Sequence, residues 1–380
     1  MAIALSRKIK KFPPIATEMK IKYCLYSFIC LLLIILLLLL PKALIHNDNN
    51  SIDKQPISFK DALGSNFVIG FLGQTLDEET IKTIKYIKPS GIILYSRNCD
   101  TKDQLKKLID QLQSVAKEIG DNKFFIMIDE EPGGATRINA FSDVFNSGEP
   151  NWLLMDDRLK EMGNYGINVD LAPLADYPFS EDSYIKNRIV AKDENTLIAF
   201  NKKFIETAKK NNISTTLKHF PGAGLFVQDP HTDISDSLAD VNTFNRSLAI
   251  FEEGIKDGAD FVMINHGIYE NIDDKMATFS KKIVNDILIK QLGFSGLVIT
   301  DDMADMPLQF EGDVNQEDFL FEALNAGNNM VLLSHRTEIT REVFDRLLNK
   351  YSNNEDFHKI VINNYKKIND FKKNKNLVFN

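Results

Sequence analysis

The feature that most constrains the fold is a repeated alternation of short apolar runs with longer amphipathic segments. Each run is six or seven residues long and rich in Val, Ile and Phe, which is typical of a buried strand. The intervening segments carry apolar residues at helical spacing, as in 101–120 and 280–293. The predicted strands are 66–72, 91–96, 124–129, 168–174, 214–219, 261–266, 296–302 and 329–335. Strands that alternate with helices along a chain indicate an α/β fold with a parallel sheet.

Eight such strand–helix units predict a (β/α)8 barrel of the TIM type, which we expect to fill 58–380. A doubly wound open sheet is the structural alternative, and it would concentrate its chemistry at the one point where the strand order reverses. Reactive side chains instead end several of the predicted strands; they are Asp129, Lys218, His219, His266 and Asp301. The carboxyl ends of all barrel strands meet at one face, so a barrel would bring these residues together.

The N-terminal region contains a long apolar run. Residues 23–40 carry no charge, and about 20 apolar residues are enough to cross a bilayer. Six Lys and Arg residues precede this run, so the positive-inside rule leaves the remaining chain outside the cytoplasm. We therefore predict a basic segment 1–22, a transmembrane or signal-anchor segment 23–45 and a linker 46–57. A cleaved signal peptide is the alternative, and it would release the barrel to the periplasm or the exterior.

Composition excludes several functional classes. The net charge of −8 argues against a nucleic-acid partner, which would need clustered Lys and Arg. Three cysteines do not form a disulfide framework. No pair of histidines follows the first strand, which disfavours a metal-dependent hydrolase, and no cofactor is expected. The C-terminal segment 363–376 is predicted to be a helix that ends in a solvated basic tail.

The side chains at the predicted strand ends are suited to glycoside hydrolysis. That reaction uses a carboxylate to attack the anomeric carbon and a second group to protonate the departing oxygen. Asp301 and Asp302 end the seventh strand, and strand alternation predicts that only one of them faces the barrel axis. In the loop after the fifth strand, Asp229 lies two residues before His231, where it can orient the imidazole as a general acid and base.

Four motifs resemble those of one enzyme family. The stretch 218–231, KHFPGAGLFVQDPH, is similar to the K-H-F-P-G-H-G-D-T-x-x-D-S-H signature of bacterial β-N-acetylhexosaminidases in glycoside hydrolase family 3. IDEEPGGATR (128–137) resembles D-x-E-G-G-x-x-x-R, and NRIVAKD (187–193) resembles N-R-x-F-G-x-D. The stretch from 262 to 303 resembles the family segment that ends in its nucleophile. This resemblance covers nearly all of the chain after residue 60 and implies a TIM barrel.

The resemblance also implies a role for each matching residue. Asp301 corresponds to the nucleophile, and His231, supported by Asp229, to the acid/base. Residues that correspond to the sugar-holding positions are Asp129, Arg137, Arg188, Lys218 and His219. His266 is a further substrate-binding candidate because it ends the sixth strand, although a core or supporting histidine would also fit that place.

The chain departs from the family pattern beside the histidine loop. Ala223-Gly224-Leu225-Phe226 replaces H-G-D-T, which is expected to make that wall of the sugar site more apolar, and Pro132 replaces a glycine. We expect a retaining exo-β-N-acetylglucosaminidase that acts on terminal N-acetylhexosamine of peptidoglycan fragments or related glycans. The alternatives are a membrane-tethered glycan-binding homologue with impaired catalysis and a β-N-acetylglucosaminide phosphorylase. A plain β-glucosidase is disfavoured.

Overall fold

The computed structural model describes most of the chain after residue 56. The described residues are 57–139, 143–144, 150–229, 237, 239–304, 315–334 and 337–379. The basic segment 1–22, the apolar segment 23–45 and nearly all of the linker 46–57 lie outside these ranges. Within the described ranges, no helix is both long enough and apolar enough to cross a membrane. Residues Ile57–Asn380 form one compact unit.

Eight parallel strands close into a barrel. They are β1 (Phe67–Ile69), β2 (Gly91–Leu94), β3 (Phe125–Ile128), β4 (Val169–Asp170), β5 (Ser214–Phe220), β6 (Phe261–Ile264), β9 (Leu297–Asp302) and β10 (Met330–Leu333). Their order around the barrel is β1-β10-β9-β6-β5-β4-β3-β2. Each predicted strand overlaps one of these strands, so the barrel is confirmed and the open sheet is excluded. A hairpin of β7 (Ile268–Tyr269) and β8 (Asp273–Met276), which the sequence did not predict, follows β6.

Helices pack around the strands. They are α1 (Phe59–Ser65), α2 (Glu78–Ile87), α3 (Lys102–Ile119), α4 (Trp152–Tyr165), α5 (Glu194–Lys210), α6 (Val241–Lys256), the π-helix Lys282–Gln291, α7 (Gln316–Ala326), α8 (Thr337–Tyr351) and α9 (Glu355–Asn374). Short polar residues begin several of them: Asp77, Thr101, Asp193 and Asp240 each accept a hydrogen bond from the backbone N–H three residues later. Such caps satisfy one of the N–H groups that a helix start leaves unpaired. The remaining short helical turns are Ser96–Asn98, Lys186–Arg188, Ala223–Leu225 and Ala277–Phe279.

The last helix closes the amino end of the barrel. Strand residues that fill the interior include Val68, Ile93, Phe125, Met127, Val169, Phe261, Ile299 and Met330. The ring of Phe371 in α9 packs edge-on against Phe125 and Phe261, with centroids 5.8 and 5.2 Å away. Lys372 is only 3% exposed. The predicted helix is confirmed, but the prediction of a solvated basic end is wrong for Lys372, which packs against the barrel core, whereas Lys373 is exposed.

Candidate active site

A cavity of about 430 Å³ opens at the carboxyl ends of the strands. Its lining residues are Tyr95, Asp129, Glu131, Ala135, Arg137, Arg188, Lys218, His219, Asp301 and Asp302. Six of the nine predicted site residues are among them: Asp129, Arg137, Arg188, Lys218, His219 and Asp301. They come from loops and strand ends that are far apart in sequence, and the parallel barrel brings them to one face.

Lys218 is the central cation of this cavity. Its Nζ lies 2.7 Å from Asp129 Oδ1 and 2.8 Å from Glu131 Oε1, and the side chain is 2% exposed. Burial acts to lower the pKa of Lys218, but the charges of Asp129 and Glu131 outweigh it and raise that pKa above its ordinary value. The ammonium group therefore stays charged and fixes both carboxylates in place.

Glu131 joins Lys218 to a second cation, Arg188. The guanidinium of Arg188 donates from Nη2 to Glu131 Oε1 at 2.6 Å and from Nε to Oε2 at 3.1 Å. Burial opposes ionisation of this fully enclosed carboxyl, yet Lys218 and Arg188 hold the pKa of Glu131 well below its ordinary value. Glu131 occupies the Glu position of the D-x-E-G-G pattern, yet it was not among the predicted site residues.

Asp129 also contacts a second cationic side chain. Arg137 Nη2 lies 3.1 Å from Asp129 Oδ2, so the two oxygens of this carboxylate face different cations. The carboxylate of Glu130 accepts hydrogen bonds from the backbone N–H groups of Arg137 and Ile138, which orders the loop that carries the guanidinium. Fixed carboxylates and guanidinium groups of this kind suit the hydroxyl groups of a sugar, which both donate and accept hydrogen bonds.

His219 is held by a buried carboxylate that the sequence analysis missed. Asp176, which is fully buried, accepts from His219 Nδ1 at 2.7 Å, from the backbone N–H of His219 at 3.0 Å and from that of Ala223 at 2.6 Å. A carboxylate accepts, so Nδ1 carries a proton and Nε2 is directed elsewhere, 3.7 Å from Asp301 Oδ2. Asp176 stands in the stretch LADYP, two residues after the predicted fourth strand and outside every matched motif, so no motif indicated it.

Asp301 and Asp302 both line the cavity, so the prediction that only one of them faces the site is wrong. The register between β9 and β10 explains the difference. Met330 pairs with Ile299, whereas Leu332 pairs with Asp302, so β9 has one residue more than β10 over this stretch. Such a bulge interrupts the alternation of side chains at the end of a strand.

His266 lies beside the cavity, not in its lining. The side chain is buried; Nδ1 lies 2.7 Å from Thr278 Oγ1, and Nε2 lies 3.2 Å from the backbone carbonyl of Asp302. These contacts place the imidazole where it supports the end of β9.

The loop that carries the predicted acid/base pair is described only in part. His231 lies outside the described residues, whereas Asp229 lies within them. Burial, followed by the charges of Asp176 and Asp229, raises the pKa of Tyr184 well above its ordinary value, which places Asp229 near this phenol. Ala223 and Phe226 are buried and are not among the residues that line the cavity, so they do not form the apolar sugar wall that the sequence suggested.

No metal site is evident in the part of the chain that the structure describes. Within it, no group of three or more His, Cys, Asp or Glu side chains is arranged to hold a metal ion. Two of the four acidic residues that line the cavity, Asp129 and Glu131, are instead paired with Lys218.

Comparisons with known proteins identify the family. The family model described as glycosyl hydrolase family 3 N terminal domain matches residues 68–359. The chain belongs to glycoside hydrolase family 3. It is 28% identical over 300 residues to a β-hexosaminidase of Methylobacillus flagellatus, covering 74% of this chain and 83% of the relative. It is 29% identical over 304 residues to a β-hexosaminidase of Histophilus somni, covering 76% of this chain and 85% of the relative.

A solved structure agrees with this family assignment. The β-N-acetylhexosaminidase of Beutenbergia cavernae is 26% identical and superposes with a TM-score of 0.74 over 84% of this chain and 99% of that one. The resemblance noted in the sequence is therefore confirmed, and the family-3 chain is a glycosidase.

Proposed function

We propose that this family-3 glycosidase is a retaining exo-β-N-acetylglucosaminidase. The observation that carries the proposal is the position of Asp301, whose carboxylate lies in a cavity that also presents the cation-braced carboxylate of Asp129 and the imidazole of His219. A nucleophile beside a set of fixed polar groups is the arrangement that glycoside hydrolysis with a covalent intermediate requires.

In the proposed first step, Asp301 attacks C1 of the sugar while His231 protonates the departing oxygen. Asp229 lies two residues earlier and would accept the N–H of that imidazole, which favours its protonated form. A glycosyl-aspartate results, and the aglycone leaves. In the second step a water molecule attacks the same carbon, His231 removes its proton, and Asp301 is released.

The polar groups of the cavity would hold the sugar. Asp129 and Lys218 can bind neighbouring hydroxyl groups, and Arg137 and Arg188 supply planar donors to ring substituents. The N-acetylhexosamine preference is supported by the names of the relatives, a β-hexosaminidase in Methylobacillus flagellatus and a β-N-acetylhexosaminidase in Beutenbergia cavernae. Terminal GlcNAc of peptidoglycan fragments or related glycans is the substrate class we propose.

A panel of aryl β-glycosides tests this proposal. We expect turnover of the GlcNAc glycoside to exceed that of the GalNAc and glucose glycosides, and to be abolished by Asp301→Ala. His231→Ala should lower turnover most for substrates with poor leaving groups, since good leaving groups need little protonation. Equal losses for all leaving groups would contradict an acid role for His231. An active Asp301→Ala enzyme would refute the proposed nucleophile.

The same assay separates hydrolysis from phosphorolysis. A histidine repels phosphate less than a carboxylate would, so phosphate is the competitor of water to test in the second step. Product analysis with and without phosphate decides this point: we expect free GlcNAc in both cases, and accumulation of the sugar 1-phosphate would overturn the hydrolase assignment.

We further propose that residues 23–45 anchor a catalytic domain, 58–380, outside the cytoplasm. The support is the uncharged run 23–40 and the basic residues that precede it. Protease added to intact cells or spheroplasts should degrade the domain, and the full-length chain should remain with the membrane fraction. A domain that is protected in spheroplasts would contradict this topology.

A further inference from the structure

Tyr95 contacts both Asp302 and Arg137, which lie in different parts of the cavity lining. It follows β2 directly and lines the cavity beside Asp302. Its hydroxyl donates to Asp302 Oδ2 at 3.0 Å. Its ring lies under the guanidinium of Arg137, which is 5.0 Å from the ring centroid, and also packs against Arg97 at 4.4 Å.

The hydroxyl of Tyr95 is one of several groups that fix Asp302. Oδ1 of this carboxylate accepts from the backbone N–H groups of Ala304 at 3.0 Å and Ser334 at 3.1 Å, while Oδ2 accepts from Tyr95. The backbone N–H of Asp302 in turn donates to Asp301 Oδ1 at 2.9 Å. The orientation of the Asp301 carboxylate therefore depends on a residue that Tyr95 holds from another strand.

Burial keeps Tyr95 in the donating form. Together with the charges of Asp302 and Asp129, it raises the pKa of Tyr95 well above its ordinary value. The phenol is therefore protonated at neutral pH, and a carboxylate facing it can only accept.

We propose that Tyr95 is a positioning residue for the glycosidase reaction, with its hydroxyl orienting Asp301 through Asp302 and its ring orienting Arg137. The inference rests on the proposed function, because it takes Asp301 as the nucleophile and Arg137 as a sugar-binding group. The two halves of the side chain have different tasks: the hydroxyl acts on the reacting carboxylate, and the ring acts on substrate binding.

Two substitutions separate these tasks. Tyr95→Phe keeps the ring under Arg137 and removes the hydroxyl, so we expect kcat to fall about tenfold with KM nearly unchanged. Tyr95→Leu removes both, so we expect the same loss in kcat and, in addition, a several-fold rise in KM. A loss of packing alone would not produce this division between kcat and KM.

Tyr86 provides a matched control in the same chain. On α2, its hydroxyl donates to Asp345 Oδ1 at 2.8 Å, and its ring contacts Lys60 at 3.3 Å and Arg341 at 4.4 Å. Like Tyr95, it contacts one carboxylate and two cationic side chains, but it does not line the cavity. Tyr86→Phe should therefore leave both kcat and KM for the GlcNAc glycoside unchanged.

The coupling is tested by combining Tyr95→Phe with Asp302→Asn. If the hydroxyl acts through Asp302, the double variant should lose less activity than the product of the two single losses. The inference would be overturned if the loss in the double variant equals the product of the two single losses. It would also be overturned if kcat of Tyr95→Phe stays within twofold of wild type. Asp301→Ala is measured alongside: an inactive variant leaves the proposed function intact when the Tyr95 inference fails, whereas an active one refutes the proposed function itself.

Discussion

Two lysines, one at each end of the barrel, are almost equally buried, but their ammonium groups contact different partners. Lys218, at the carboxyl end, lies within 2.8 Å of two carboxylates. Lys372, at the amino end, donates instead to the backbone carbonyls of Ser90 at 2.7 Å and Lys123 at 2.8 Å, and its Nζ lies 4.6 Å from the centroid of the Phe125 ring. Their exposed fractions are 2% and 3%.

The difference shows that partners, and not depth, set the charge state of a buried group. Burial lowers the pKa of Lys372 to about 7, since no carboxylate among the described residues offsets the loss of hydration. At Lys218 the same loss is outweighed by Asp129 and Glu131, and the pKa rises. The carboxyl end thus maintains fixed charges that can bind a substrate, whereas the amino end uses a lysine that contributes to packing.

The largest expected effect is on activity, from replacing each lysine with Met. Lys218→Met leaves Asp129 and Glu131 buried without their shared cation, so we expect kcat/KM to fall about a hundredfold or more and the free energy of unfolding to fall by about 3–5 kcal/mol. Lys372→Met should leave kcat/KM unchanged. Steady-state kinetics and urea unfolding measure both quantities. If kcat/KM falls equally in the two variants, the two ends of the barrel do not differ in their contribution to activity.

A smaller effect is expected from Glu131→Gln, which removes one of the two carboxylates beside Lys218. The folded-state pKa of Glu131 is lowered, so its ionised form stabilises the protein above the unfolded value of 4.5, and this contribution is lost as the pH falls through the folded value. Wild type should therefore be more stable than Glu131→Gln at pH 7, and the difference in unfolding free energy should narrow in acid.

An exposed pair is the control for Glu131. Glu118 lies 2.5 Å from Lys85, with exposed fractions of 60% and 43%. Surface pairs contribute roughly 0–1 kcal/mol, so Glu118→Gln should change stability little at any pH. A Glu131→Gln variant as mildly affected as Glu118→Gln would mean that the buried cluster is no stronger than a surface ion pair.

The sequence predicted the carboxyl end of the barrel well because its signals are local. Each strand is a short apolar run, and residues such as Asp129 and Asp301 follow those runs directly. In a parallel barrel this placement alone brings them to one face. The roles assigned to Asp229 and His231 stay predictions, as does the membrane segment 23–45.

The sequence was less informative where a contact depends on long-range packing. Asp176 and Tyr95 acquire their partners from other strands, and nothing in their immediate neighbours indicates this. The common face of Asp301 and Asp302 depends on a bulge that is defined by β10. From the sequence, Lys372 was predicted to be part of a basic tail, because its burial depends on Ser90 and Lys123, which lie 282 and 249 residues earlier in the chain.

The smallest effect on activity is expected at the amino end, where only the pH dependence of stability should change. Because the folded pKa of Lys372 is lowered to about 7, the unfolded chain holds one proton more than the folded one between pH 7 and 10.5. Its contribution to stability should rise with pH over that window by up to about 1.4 kcal/mol per unit, and show no slope below it. The difference in unfolding free energy between wild type and Lys372→Met isolates this slope, with the exposed neighbour Lys373→Met as control. A flat difference would mean that the two carbonyls and the Phe125 ring keep Lys372 protonated, and the contrast with Lys218 would then lie in function alone.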